Sequence, residues 1–282
     1  MRIAIASGKG GTGKTTISSN LAYYLSSQGQ ATTLVDCDVE EPNNHIFFNP
    51  AWYGSEMVQM PVPEVEAEKC TGCGKCAEIC EFNALVCLKG NVLIFPELCH
   101  GCKGCIMVCP TSALKETTRE IGEVQLGIKD RLNIVQGVLR IGEAMSPPLI
   151  RKVKEHGDNN GTVIIDCPPG TSCPMIQAVR GSDFVLLVTE PTPFGLNDLK
   201  LAVETIRELN LPFAVCINRS TIGDNKVHDY CKQEKIPIIL EIPEDREIAQ
   251  AYSQGRLFLK TLPHYQIQFD TLLKNIKELV VC

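Results

Sequence analysis

A chain of 282 residues, 44% hydrophobic and 21% charged, has room for one large core, or for one core and a small second module. A net charge of -6 gives no reason to expect nucleic-acid binding, and no Lys/Arg-rich block is present. No run approaches the ~20 apolar residues that span a bilayer, and the opening Met1-Arg2-Ile3-Ala4-Ile5-Ala6-Ser7 turns polar too soon for a signal peptide, so a soluble, cytoplasmic protein is expected.

Along the chain, residues 2–6 read as a short buried strand, 14–25 as a helix and 31–35 as a second strand. The alternation stops between about Met60 and Thr118, where Cys, Gly and Pro punctuate the sequence. Pro61, Pro63 and the acidic run Glu64 to Glu68 are expected to form a linker into an insert at 62–118. Residues 121–140 read as two short strands around a turn, and Ser146-Pro147-Pro148 as a helix start with Ser146 as N-cap. Strands are then expected at 162–166, 183–189, 213–218 and 236–240, with helices at about 194–209, 224–234, 244–254 and 265–280. The final helix gathers Phe269, Leu272, Leu273, Ile276, Leu279 and Val280 on one face. Its other face mixes acids and bases, so it is expected to dock on the core and not on a membrane. Short apolar strands alternating with helices give an α/β fold, with a mostly parallel sheet covered on both faces. Residues 1–61 and 119–282 would build it, and 62–118 would be a small α+β insert.

Gly8-Lys9-Gly10-Gly11-Thr12-Gly13-Lys14-Thr15 satisfies GxxxxGK[ST] and stands between a strand and a helix, the context a P-loop requires. Glycines 8, 10, 11 and 13, with Thr12 and Thr16, would bring backbone N–H groups to the phosphates of ATP or ADP. Lys14 is expected at the β- and γ-phosphates and the Thr15 hydroxyl on Mg²⁺. With its additional Lys9, KGGTGKTT resembles the deviant Walker A motif of the superfamily of MinD, Mrp and nitrogenase iron proteins. That resemblance implies a slow, partner-stimulated ATPase that forms a homodimer around ATP, Lys9 of each subunit reaching the other subunit's nucleotide. Lys9, Lys14 and Asp38 are then catalytic. Asp36-Cys37-Asp38 resembles switch I, which implies Asp36 near Mg²⁺ and Asp38 on the attacking water. Asp166-Cys167-Pro168-Pro169-Gly170-Thr171 is similar to switch II of the Mrp-like branch. Asp166 would belong to the Mg²⁺ shell, and the Gly170 N–H would sense the γ-phosphate. Asn218, Arg219 and Pro243 match the family's adenine-binding positions. Taken singly, a strand-end Asp is also an ordinary turn former, and Lys9 an ordinary solvated loop lysine.

Eight of the fifteen cysteines fall between Cys70 and Cys109. Cys70-x2-Cys73-x2-Cys76-x3-Cys80 is followed by Cys99-x2-Cys102-x2-Cys105-x3-Cys109-Pro110, the two-cluster bacterial ferredoxin spacing. Cys70, Cys73, Cys76 and Cys109 would hold one [4Fe-4S] cluster, and Cys80, Cys99, Cys102 and Cys105 the other. Structural zinc is the alternative, against which stands the doubled CxxCxxCxxxC. Glu81 follows Cys80 where the pattern has proline, a departure expected to alter the turn. Glycines 72, 74, 101 and 104 would relieve crowding around the clusters. Of the scattered cysteines, Cys37, Cys87 and Cys167 read as packing residues. Cys173 stands seven residues after Asp166, as does a cluster ligand of the nitrogenase iron protein; it is read either as a further cluster or metal ligand or as a free thiol. Such an insert after switch I resembles a group of MinD-superfamily ATPases with an inserted ferredoxin domain. Three outputs are open: ATP-gated electron transfer to a redox partner, cluster or metal-cofactor delivery to a client protein, and MinD-like positioning.

Overall fold

The computed structural model describes residues 1–157 and 160–281; Cys282 lies outside them. Eleven strands occur among these residues: β1 (Arg2–Ala6), β2 (Thr32–Asp36), β3 (Ala51–Val65), β4 (Leu85–Leu88), β5 (Asn91–Ile94), β6 (Leu114–Lys129), β7 (Leu132–Leu139), β8 (Thr162–Asp166), β9 (Phe184–Thr189), β10 (Phe213–Asn218) and β11 (Ile238–Ile242). Nine of them form one sheet in the order β11-β10-β9-β1-β8-β2-β7-β6-β3. From β11 through β7 every neighbouring pair is parallel. The inner strands β1, β8 and β9 are buried almost without interruption, because helices cover both faces of a parallel sheet. Helix Lys14–Ser27 and the C-terminal helix Gln266–Val281 share one apolar cluster: Ile17, Leu21, Phe269, Leu272 and Ile276 are fully buried against Ile3, Leu34 and Phe184. Each such side chain stabilises the fold by roughly 1.5–3 kcal/mol. The expected docking of the last helix on the core is what the structure has.

The chain divides into two compact units. The first comprises Met1–Ser55, Val124–Val138 and Ile150–Cys282, and the second Glu56–Glu123 with Leu139–Leu149. The second unit is therefore wider than the insert read at 62–118. Pro61 and Pro63 are not in a linker: they belong to β3, which ends the nine-strand order. A prolyl residue lacks the N–H that a central strand must donate, so an edge strand is where it fits. The two short strands expected in 121–140 are β6, which begins as early as Leu114, and β7, joined through Asp130 and Arg131. Ser146 opens helix Ser146–Glu155, but its buried hydroxyl makes no hydrogen bond, so it does not cap.

Within the second unit, the two cysteine motifs fold alike. A single 3₁₀ turn (Ala67–Lys69, Pro96–Leu98) precedes each, and a four-residue helix (Lys75–Glu78, Gly104–Met107) carries the third cysteine. The hairpin β4–β5 lies between them in sequence. No helix among the described residues is long and apolar enough to cross a membrane.

Candidate functional site

The nucleotide motif occupies the carboxyl edge of the parallel strands, where β1 runs into the loop and β2 and β8 end side by side with Asp36 paired to Asp166. The loop closes because its glycines permit what a Cβ would forbid. At Gly8 a Cβ would stand 2.1 Å from the Asp198 carbonyl oxygen, and at Gly13 (φ 94°) 2.3 Å from Asn218 Nδ2. Asn218 Nδ2 in turn donates to the Thr12 carbonyl at 2.9 Å. A cleft of about 450 Å³, in the usual range for ligand sites, is lined by Gly10, Gly11, Gly13, Lys14, Thr15, Thr16, Asp38, Asn218, Arg219 and Pro243. Of the expected nucleotide-site residues, Gly8, Lys9, Thr12, Asp36 and Asp166 are not in this lining. Gly8 lies against the Asp198 backbone. The Thr12 hydroxyl is buried with no partner. Lys9 is half-buried and its ammonium makes no ion pair or hydrogen bond among the described residues.

Asp36 and Asp166 are both 1% exposed. Asp36 accepts hydrogen bonds from the backbone N–H groups of Asp38, Asn43 and Asn44, all at 3.1 Å, and from Asn44 Nδ2 at 3.0 Å. Asn44 Nδ2 also donates to Asp166 at 2.8 Å, so one amide bridges the two carboxylates. The other Asp166 oxygen, Oδ1, is buried without a partner. Burial first, and then the Asp166 charge, push Asp36 up to about 8. Burial likewise raises Asp166, with Lys14, Asn44, Thr15 and Ser18 opposing. Asp38 is pushed up to about 6 by burial and by Asp166, against Lys14. Crowded, desolvated carboxylates with one orphaned oxygen, beside a threonine hydroxyl, are a donor set suited to a hard divalent cation. The Gly170 N–H, expected to face the γ-phosphate, donates instead to the Ser7 carbonyl at 3.1 Å. Asn44 was missed by sequence reading, as were Glu41, Asn43 and Tyr252 in the cleft lining. The available signal was Pro42-Asn43-Asn44, a turn followed by the short helix Asn44–Phe48.

Cys37 and Cys167, beside the aspartates, are fully buried with thiols pushed up by burial, which leaves them as packing residues. Cys173 is exposed at the first position of helix Cys173–Val179.

In the second unit, Cys70, Cys73, Cys76 and Cys109 line one cavity, and Cys80, Cys99, Cys102 and Cys105 another. The fourth cysteine of each motif thus joins the other motif's first three. No three His, Cys, Asp or Glu side chains among the described residues converge as ligands for a single ion. Each set of four thiols borders its own cavity. Both walls are largely apolar: Val62, Ile79, Phe82, Leu85 and Ile106 border the second cavity, and Val65, Val92, Ala113 and Leu114 the first. Both fourth cysteines accept a backbone N–H at 3.3 Å, from Ala84 to Cys80 and from Ala113 to Cys109. The turns after them match as well, with Asn83 and Ser112 both at φ 52°. Glu81 in place of proline therefore leaves the turn unaltered. Lys103, not Gly104, takes the left-handed conformation (φ 62°) equivalent to Gly74. Cys87 is half-buried, its thiol 3.5 Å from the Gly72 carbonyl. His100 stacks on Phe82 at 3.5 Å between ring centroids.

Residues 3–258 match the CobQ/CobB/MinD/ParA nucleotide binding domain. The chain is 33% identical over 283 residues to the uncharacterized protein MJ0578 of Methanocaldococcus jannaschii, covering 99% of this chain and 98% of that one. It is 24% identical over 300 residues to an iron-sulfur cluster carrier protein of Aquifex aeolicus, covering 99% and 67%. Among solved structures, the cell division ATPase MinD of Pyrococcus furiosus superposes with a TM-score of 0.61 at 21% identity, covering 99% and 98%.

Proposed function

This chain belongs to the CobQ/CobB/MinD/ParA family of nucleotide-binding ATPase domains, and on that premise we propose that it couples Mg-ATP hydrolysis in a nucleotide-dependent homodimer to electron delivery from a two-cluster ferredoxin module. The observation that carries this reading is the exchange of fourth cysteines between the two cavities, which is the ligand pattern of a 2×[4Fe-4S] ferredoxin. When bound, the clusters supply one-electron chemistry. The protein supplies eight thiolates and the amide N–H groups of Ala84, Gly101 and Ala113 directed at sulfur. Such hydrogen bonds and the apolar walls set cluster potentials.

At the nucleotide, the loop N–H groups and Lys14 would cradle the phosphates and Asp38 would orient water. Thr15, Asp36 and Asp166 are the residues that would hold or surround Mg²⁺. The Asn44 amide keeps the two carboxylates in register, so that positive charge arriving there meets a pre-arranged pair. Lys9, having no partner for its ammonium among the described residues, is available to a second copy's nucleotide. Asn218, Arg219 and Pro243 would frame the adenine.

A second reading, delivery of a cluster or metal cofactor to a client protein, draws support from the carrier relatives and from the exposure of Cys173. A MinD-like positioning role has the fold alone behind it.

Protein purified without oxygen is expected to hold about eight irons per chain, two clusters of four, and to hydrolyse Mg-ATP. Lys14→Ala abolishes hydrolysis and leaves the iron in place. Zinc in the purified chain, or iron lost together with ATPase activity in that variant, would sink the proposal.

A further inference from the structure

A second polar cavity, of about 270 Å³, opens in the first unit at the edge of the sheet opposite the nucleotide cleft. It lies where β2 and β7 begin, with Thr32 paired to Leu132. Three elements meet there: the C-terminal end of helix Lys14–Ser27, the β6–β7 turn and the short helix Phe258–Thr261. Each of the last two contributes cations: Lys129 and Arg131 from the turn, Lys260 from the helix. Asp130 is the one acid in the lining. None of the three cations forms an ion pair among the described residues.

The ordinary explanation for cations at a helix C-terminus is that they satisfy its carbonyls. Here three of the last four carbonyls, those of Tyr24, Leu25 and Ser26, are already used. Tyr23 and Tyr24 accept the hydroxyls of Ser26 and Ser27 at 3.0 and 2.7 Å. Leu25 accepts the N–H of Gln30 at 3.2 Å, and Ser26 that of Gly29 at 3.0 Å. Lys260 lies 4.9 Å over the Tyr23 ring, which fixes its direction without neutralising it. The floor is apolar, with Phe48 5% and Leu132 2% exposed. An occupant of this cavity would meet a concentrated positive field above a small apolar base.

We propose that this cavity binds a small phosphate-bearing anion, held by Lys129, Arg131 and Lys260, at a site separate from the nucleotide cleft. An arginine and two lysines from different elements suit the several oxygens of a di- or bisphosphate better than a single carboxylate.

The test is calorimetric titration of the full chain, its cleft first saturated with Mg-ADP. Two probes are used: inorganic pyrophosphate and a hexose bisphosphate. A binding event is expected beyond the one in the cleft, weakened by added salt and by about tenfold in Arg131→Gln or Lys260→Gln, each of which removes one charge-assisted contact. Arg207→Gln, a cation already paired with Glu234 at 2.8 Å, leaves it unchanged. Tighter binding of the hexose bisphosphate identifies an organic phosphate as the ligand class; tighter pyrophosphate binding identifies the inorganic group. The proposal is overturned by two results: no heat for either probe in the ADP-saturated chain, or equal affinity in wild type, Arg131→Gln and Lys260→Gln. Both substitutions are at the surface, and unchanged Mg-ADP binding verifies that the variants are folded.

Discussion

Asn44 does more at this site than its place in the sequence suggests. Its amide is the common hydrogen-bond donor to two buried carboxyl groups, and leaving a buried acceptor without its donor costs about 1–3 kcal/mol. Asn44→Ala is expected to lower unfolding free energy by about that much and to depress Mg-ATPase activity. Denaturant titration and turnover measurements check the two effects separately. Asp36 gives a pH dependence with a definite sign. An acid raised to about 8 in the folded chain binds its proton more tightly folded than unfolded, where its pKa is about 3.9. Its contribution to stability is thus full at low pH and is lost as pH rises from about 4 through about 8. In Mg²⁺-free buffer, Asp36→Asn should flatten the fall in stability between pH 5 and pH 8; an unchanged profile would mean Asp36 is not the group responsible. The aspartates were legible in the sequence because each follows an apolar strand after a P-loop. Asn44 was not, because an asparagine opening a five-residue helix carries no periodic signal.

The same contrast holds for the elements. Strands buried on both sides, such as β8 and β9, are continuous apolar runs and were read to within a residue. β3 was not, since Gly54, Pro61 and Pro63 look like loop, and their tolerance depends on an edge position that only the sheet order reveals. Within the second unit, segment Leu139–Leu149 is tied to β6 by a buried ion pair, Arg119 with Glu143, whose side chains are 10% and 1% exposed. Burial pushes the Glu143 carboxyl up, but the Arg119 guanidinium and the Met145 N–H outweigh it and hold it below its usual range. Arg119→Met would strand that carboxylate and should destabilise the second unit by about 3–5 kcal/mol, measured by loss of protection from hydrogen exchange across β6. The crossed cysteine sets make a further prediction. Cys70→Ala and Cys109→Ala should leave one and the same residual cluster spectrum, and Cys80→Ala and Cys99→Ala the other. Pairing of Cys109→Ala with Cys99→Ala would contradict the crossing. The spacing carries this expectation, because the fourth cysteine, with three residues between it and the third, faces away from its own motif's cube.

For the whole molecule, an ATPase domain and a cysteine-rich unit share one chain, and both β3 and β6 start in one unit and end in the other. The nucleotide motif and the inner strands were legible, because a P-loop and short apolar runs are local sequence signals; the order of the strands in the sheet was not. The reach of the second unit was not, since Leu139–Leu149 joins it through contacts distant in sequence. What distinguishes an ATP-gated electron donor from a cluster carrier is whether nucleotide changes the state of the resident clusters. The most direct measurement is the EPR spectrum, with midpoint potentials, of the anaerobically purified and reduced chain with and without Mg-ATP. Gated electron transfer predicts that Mg-ATP shifts the cluster signals or lowers a potential, and that Lys14→Ala removes the shift. Two ordinary cluster signals indifferent to Mg-ATP would contradict it.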